Sequence, residues 1–136
     1  MQPGVVKKTV EEVRVVRRPP HTRIGRAGER AAAVYLVAQG YRVLEMNWRA
    51  GRAGEIDIVA SRDGTVVFVE VKTRRYQTPG AALEAVTEQK LRQMRLMGAL
   101  WLVQFPHTGP IRFDVLGVQL RPGREPLFEW LQDVGQ

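Results

Sequence analysis

The chain has 136 residues, room for one ordinary domain, with 44% apolar and 26% charged residues, a globular rather than a disordered composition. It has no cysteine and two histidines, which removes disulfides, thiolate metal sites, cysteine catalysis and an all-histidine zinc centre. Lysine and arginine number 21 against 14 acids, a net charge of +7, and a small domain this basic is expected to meet a polyanion, most often nucleic acid.

In chain order, residues 1–22 read as a basic extension. Pro19-Pro20 separates its valines from the remainder, and Lys7, Lys8, Arg14, Arg17 and Arg18 outweigh Glu11 and Glu12. These charges also interrupt any signal-peptide core, and the longest uncharged apolar stretches, Ala31–Ala38 and Leu96–Val103, are about half the ~18–20 residues a bilayer needs. A cytoplasmic protein is expected. The domain proper spans 23–120. Its first element is a helix over Ile24–Gln39, with Ile24, Ala27, Ala31, Val34, Tyr35 and Ala38 at helical spacing and Gly40 as its C-cap. Tyr41–Trp48 alternates as a strand. Arg49–Gly54 is a basic, glycine-punctuated loop. Glu55–Ala60 and Thr65–Thr73 are strands joined through Asp63-Gly64, a strong hairpin signal. Tyr76–Ala85 is a loop. Thr87 caps a second helix that runs to Gln104, burying Leu91, Met94, Met97 and Trp101 and leaving Lys90, Arg92 and Arg95 outside. Ile111–Leu120 is a last strand, and 121–136 is a tail whose Leu127, Phe128, Trp130 and Leu131 dock on the domain. The order α-β-β-β-α-β predicts an α/β fold, a mixed central sheet flanked by helices.

The hairpin carries the chemistry. A two-residue turn pairs Arg62 with Thr65 and sets Asp57 opposite Glu70 and Glu55 opposite Lys72, all on one face. Opposed Cβ atoms lie roughly 4.5–5.5 Å apart, and two like charges at about 5 Å repel by on the order of 3 kcal/mol at an effective dielectric near 20. A divalent cation between the acids would turn that repulsion into attraction, with Lys72 placed for a phosphate oxygen or a water. The alternative is a Glu55–Lys72 pair beside two solvated acids, and the spacing alone does not choose between them.

The strings Gly54-Glu55-Ile56-Asp57-Ile58-Val59 and Phe68-Val69-Glu70-Val71-Lys72-Thr73-Arg74 resemble the D…E-x-K signature of the PD-(D/E)XK, restriction-endonuclease-like nucleases. More narrowly, together with Gly25-Arg26-Ala27-Gly28-Glu29, Asn47-Trp48-Arg49, Lys90 and Arg112-Phe113-Asp114-Val115, they resemble the YraN family of bacterial proteins over roughly Ile24–Val118. The resemblance implies a restriction-endonuclease-like core, Mg²⁺ or Mn²⁺ held by Asp57, Glu70 and the Val71 carbonyl, Lys72 orienting the attacking water, and Glu29 on the first helix completing the site. The proline that precedes the aspartate in the superfamily is Ile56 here. By itself Glu29 reads equally as an acid favoured by the helix N-terminus, with Arg26 one turn away as a partner. Arg26, Arg49, Arg52, Arg74, Arg75 and Lys90 are the candidate phosphate contacts. Trp48 and Tyr76 suit core or loop packing better than base stacking.

The expected function is metal-dependent DNA cleavage in repair or recombination. Branched or single-stranded DNA is the substrate implied by similarity to Holliday-junction resolvases, and a homodimer is the form that a two-strand cut implies. The alternative is a nucleic-acid-binding module with the nuclease fold and little activity.

Overall fold

The computed structural model describes residues 23–74, 84 and 86–135. The 1–22 extension, Arg75 and nearly all of the Tyr76–Ala85 loop, Tyr76 among them, lie outside those residues. The element order is α1 (Arg23–Ala38), β1 (Arg42–Arg49), β2 (Glu55–Arg62), β3 (Thr65–Arg74), α2 (Glu88–Gln104), β4 (Ile111–Gln119) and β5 (Leu127–Leu131). The five strands form one sheet in the order β1-β2-β3-β4-β5. Only β3 and β4 are parallel, joined by a connection containing α2, and the other three pairs are antiparallel. The α/β fold with a mixed sheet is therefore the one the sequence predicts, consistent with a restriction-endonuclease-like core.

The hairpin forms as the Asp-Gly pair requires. Asp63 and Gly64 have φ of 49° and 82°, the two positive values of a type I′ turn. Arg62 pairs with Thr65 and Ile58 with Val69, the two-residue register. At the opposite end, strict alternation fails. Ile58 and Ala60 bury against α1, whereas Ile56, two residues earlier, joins the cluster under α2. On β1 Met46 faces α1 and Trp48 packs partly under α2. The residue between them, Asn47, has φ of 54°, and this left-handed step within the strand re-aims the residues after it.

The faces of α1 also differ from the periodicity reading. The residues buried are Gly28, Glu29, Ala32, Ala33 and Leu36, while Ala27, Val34 and Ala38 are exposed. Small side chains decide this. A Cβ on Gly28 would stand 1.8 Å from the Thr73 hydroxyl oxygen, so α1 lies closer to β3 at this point than any larger residue permits. That approach carries the start of α1 onto the C-terminal end of β3. On α2 the buried stripe is Met94, Met97, Gly98 and Trp101. Gly98 adds to the apolar positions that periodicity picks out, and Leu91 is only partly buried. Gly98 lets the helix rest on Phe113, whose ring atom a Cβ would meet at 2.9 Å.

The tail does more than dock: it adds a strand. β5 pairs with β4 from Val115↔Leu131 to Gln119↔Leu127. A buried polar clasp holds this edge. Asp114, fully buried, accepts hydrogen bonds from Arg112 Nε (2.9 Å) and Nη2 (2.8 Å), Trp130 Nε1 (2.9 Å) and the Asp133 amide (2.9 Å). Arg112 Nη2 also reaches the Tyr41 hydroxyl at 2.9 Å. Tyr35 stacks on Phe128, and both Tyr35 and Tyr41 meet Trp130 edge-on. Among the described residues, no helix is long and apolar enough to cross a membrane.

Candidate functional site

The chemistry-bearing residues gather at one end of the sheet, where β2 begins and β3 ends. A cavity of about 170 Å³ opens there between the hairpin and α2, and its walls include Glu55, Asp57 and Glu70 from the strands and Lys90, Gln93 and Met97 from the helix. Asp57 and Glu70 thus face one space, as the two-residue turn requires. Extended by one step, the β2–β3 register sets them opposite each other, yet the regular pairing stops at Ile58↔Val69. Beyond that pair Asp57 reaches across with its side chain. Its Oδ2 accepts a hydrogen bond from the Val71 amide at 2.8 Å. The N–H and C=O of a strand residue point the same way across the sheet, so the Val71 carbonyl is directed toward the Asp57 side as well. Two carboxylates consequently face one cavity, with the Val71 backbone tied to one of them.

The electrostatics are unusual for a surface acid. Burial, then the Glu70 charge, and more weakly that of Glu29, push the Asp57 carboxyl from 3.8 up to about 8; the Val71 amide and Lys90 act in the opposite direction. Burial is the first cause of that shift, and the neighbouring carboxylates add to it. Glu70 has a counter-ion: Lys90 Nζ lies 3.0 Å from its Oε2, with the two side chains 32% and 16% exposed. Lys90 stays outside the buried stripe of α2, as the sequence predicts, yet its ammonium turns toward the cavity rather than to solvent with Arg92 and Arg95. Thr87 Oγ1 accepts from the Lys90 amide, which places Lys90 in the first turn on the side facing β3, where Glu70 draws its ammonium inward. Arg92 and Arg95 do stay outside, 3.9 Å and 3.7 Å from Glu88.

The other candidates lie at varying distance from this cavity. Glu29 is 5% exposed, near enough to act on Asp57, but it does not line the cavity. It is the seventh residue of α1, and α1 has no acid in its first turn, so the helix-terminus explanation weakens, that effect fading within a turn. Arg26 is exposed. Lys72 is half-buried two residues beyond Glu70 and does not line the cavity. Arg49 Nη1 is 4.0 Å from Glu55 Oε1, a pairing across β1 and β2. Arg52 and Arg74 are exposed. Trp48 packs partly into the α2-side core.

Two residues emerge only from the structure. Gln93, one helical turn after Lys90, donates from Nε2 to the Ala53 carbonyl at 2.8 Å, fixing the Arg49–Gly54 loop against α2. Gly54, with φ of 136°, leaves the room this needs, since a Cβ there would lie 2.5 Å from that nitrogen. The i, i+3 spacing from Lys90 is the one signal of Gln93 in the sequence. Asn47 falls opposite Asp57 in the β1–β2 register. It is wholly buried, and neither amide atom has a hydrogen-bond partner.

Oxygen donors from one or two carboxylates, with water and phosphate filling the other positions, are what Mg²⁺ and Mn²⁺ accept. The charge excess at Asp57 and the ammonium resting on Glu70 both fit a cation at this place. Among the described residues, no group of three or more Asp, Glu or His side chains converges closely enough to hold a metal.

Residues 28–118 match the model of the family described as "Uncharacterised protein family UPF0102". The chain is 46% identical over 107 residues to a UPF0102 protein of Clavibacter michiganensis, covering 78% of this chain and 90% of that one. It is 45% identical over 115 residues to one of Mycolicibacterium smegmatis (82% and 92%), and 43% identical over 118 residues to one of Mycobacterium tuberculosis (82% and 91%).

Proposed function

We propose, from the premise that this chain belongs to the UPF0102 family, that it is a Mg²⁺- or Mn²⁺-dependent phosphodiesterase acting on DNA. The observation that carries this reading is the convergence of Asp57 and Glu70 on one cavity, with the Val71 backbone tied to Asp57 and a cationic side chain at its wall. Asp57, Glu70 and the Val71 carbonyl would hold the ion, which supplies positive charge against the phosphate under attack.

The protein's own residues do the remaining work. The Val71 amide pins one oxygen of Asp57 and so fixes the direction of the other. Lys72 lies beyond Glu70 on the strand, where its ammonium orients the attacking water once a phosphodiester spans the cavity mouth. Glu29 adds negative field behind Asp57, which favours cation binding over an empty site. Arg49, held beside Glu55, and the exposed Arg26, Arg52 and Arg74 would meet the strand's phosphates, as would Arg75; their contribution is electrostatic and falls with salt. Branched or single-stranded DNA is the substrate class we favour, with a homodimer as the working form in repair or recombination and the cytoplasm as its location. The second reading, a DNA-binding module with little activity, draws on the two-acid donor set and on the ammonium already resting on Glu70.

One experiment separates them. Purified protein is incubated with branched, flapped, single-stranded and duplex DNA, with and without Mn²⁺. Cleavage that needs Mn²⁺ and disappears in Asp57→Ala, Glu70→Ala and Lys72→Ala, with DNA affinity retained, supports the phosphodiesterase. Undiminished cleavage by the two acid variants refutes the assignment, and binding without cleavage on every substrate favours the module.

A further inference from the structure

We infer that Lys90 is an exchangeable counter-ion: it neutralises Glu70 while no metal is bound, gives way when a divalent cation enters, and then takes a DNA phosphate on the outer side of α2. The inference rests on the metal-dependent reading above and adds the order in which the charges exchange.

Three observations lead to it. The Lys90 ammonium is at 3.0 Å from Glu70 Oε2, an oxygen for which a divalent ion ligated by Glu70 would compete. A divalent ion bound at that oxygen weakens the hold of the ammonium, because the two cations then lie close together and repel. Second, the backbone of Lys90 is fixed by the Thr87 cap, while its four-carbon stem is flexible and its head is a compact point charge. Third, Lys90 and Gln93 line two depressions at once. One is the acidic cavity. The other is an open groove of about 500 Å³ on the outer side of the first turns of α2, shared with Thr87, Gln89, Arg92 and Leu96. Lys90 thus stands on the ridge between them, and rotation about its stem moves the ammonium from one to the other without moving the helix.

In the groove the displaced ammonium joins the guanidinium of Arg92, which is paired only at 3.9 Å and at the surface with Glu88. Two cations near a helix N-terminus suit a phosphate. Metal loading would therefore create a phosphate contact, and the acidic cavity would remain guarded against further anionic charge until the ion arrives. Lys90 acts through Glu70 and the phosphate, as a positioning residue.

The test uses the full chain and its Lys90→Gln variant, which keeps the length and removes the charge. Calorimetric titration with Mn²⁺ alone is expected to give about fivefold tighter binding in the variant, since no partly buried ion pair has to be broken. Duplex DNA affinity is then measured against salt, with and without Ca²⁺. Adding Ca²⁺ should make the slope of log K against log salt steeper by roughly 0.9 more in the natural chain than in the variant, the signature of one added phosphate contact, whereas without Ca²⁺ the two slopes coincide. Equal or weaker Mn²⁺ binding by the variant, or a slope difference already present without Ca²⁺, overturns the exchange while leaving the metal site standing. Absence of Mn²⁺ binding in both proteins overturns the metal site, and the exchange with it.

Discussion

Replacing Asp57 with Asn isolates the charge excess of the cavity. In the folded chain its carboxyl is pushed up to about 8 from 3.8, so between those values the native state holds a proton that the unfolded state has released. Stability must then fall as pH rises through this window, and it is fully present only below about pH 4. A window about four pH units wide, at 1.36 kcal/mol per unit, sets a ceiling of about 5 kcal/mol. Asp57 is half-buried rather than sealed, and relaxation with water entry reduces the effect to about 3 kcal/mol. Asn keeps an oxygen for the Val71 amide and carries no charge. Urea denaturation of both proteins at pH 4 and pH 8.5, without divalent ions, should show similar stability at the lower pH. At the higher pH the variant should lead by about 3 kcal/mol, which corresponds to roughly 10 °C in Tm. Mn²⁺ should narrow the gap at pH 8.5 by stabilising only the natural chain. If both proteins lose stability in parallel with pH, the strain is not located at Asp57 and the electrostatic account of the site is wrong.

The packing around the site makes further expectations concrete. Gly28→Ala drives a methyl group into Thr73 and should cost about 3 kcal/mol in chemical denaturation; a change below about 0.5 kcal/mol, the size of an ordinary surface substitution, would mean α1 does not approach β3 this closely. Asp114→Asn leaves Arg112 without its buried carboxylate and should cost about 3–5 kcal/mol by urea titration, with Trp130 fluorescence reporting the loosening of β5. Gly54→Ala, at φ of 136° and against Gln93, should release the Arg49–Gly54 loop from α2, seen as faster hydrogen exchange or proteolysis at 49–54 with little change in global Tm; unchanged protection there would show that Gln93 does not hold the loop.

Much of this architecture is legible in the sequence because it is local. Asp63-Gly64 dictates its own turn, the turn dictates the Arg62↔Thr65 register, and period two then carries Asp57 and Glu70 to a common face. Thr87 announces α2 by the same short-range logic. Sequence and structure part where packing overrides a local pattern. The apolar spacing of α1 points to Ala27, Val34 and Ala38, but Gly28, Ala32 and Ala33 allow the helix closer to the sheet, and the smaller residues win the buried face. The left-handed step at Asn47 cannot be foreseen from a run that otherwise alternates, and the side to which Trp48 turns depends on it. The charge of Lys90 points to solvent. Its partner, Glu70, is twenty residues away, and only the docking of α2 on β3 brings them together. Gln93 is hidden from the sequence for the same reason.

The fifth strand has a consequence for boundaries. The family match ends at residue 118, while β5 begins at Leu127. Without it, β4 would present a row of unpaired amides and carbonyls from Val115 to Gln119, flanked by aromatic surface from Tyr35 and Tyr41 that Phe128 and Trp130 now cover. An open, apolar strand edge is a template for adding another chain. A version trimmed to the matched region should therefore self-associate or precipitate on expression even though every residue around the acidic cavity is retained.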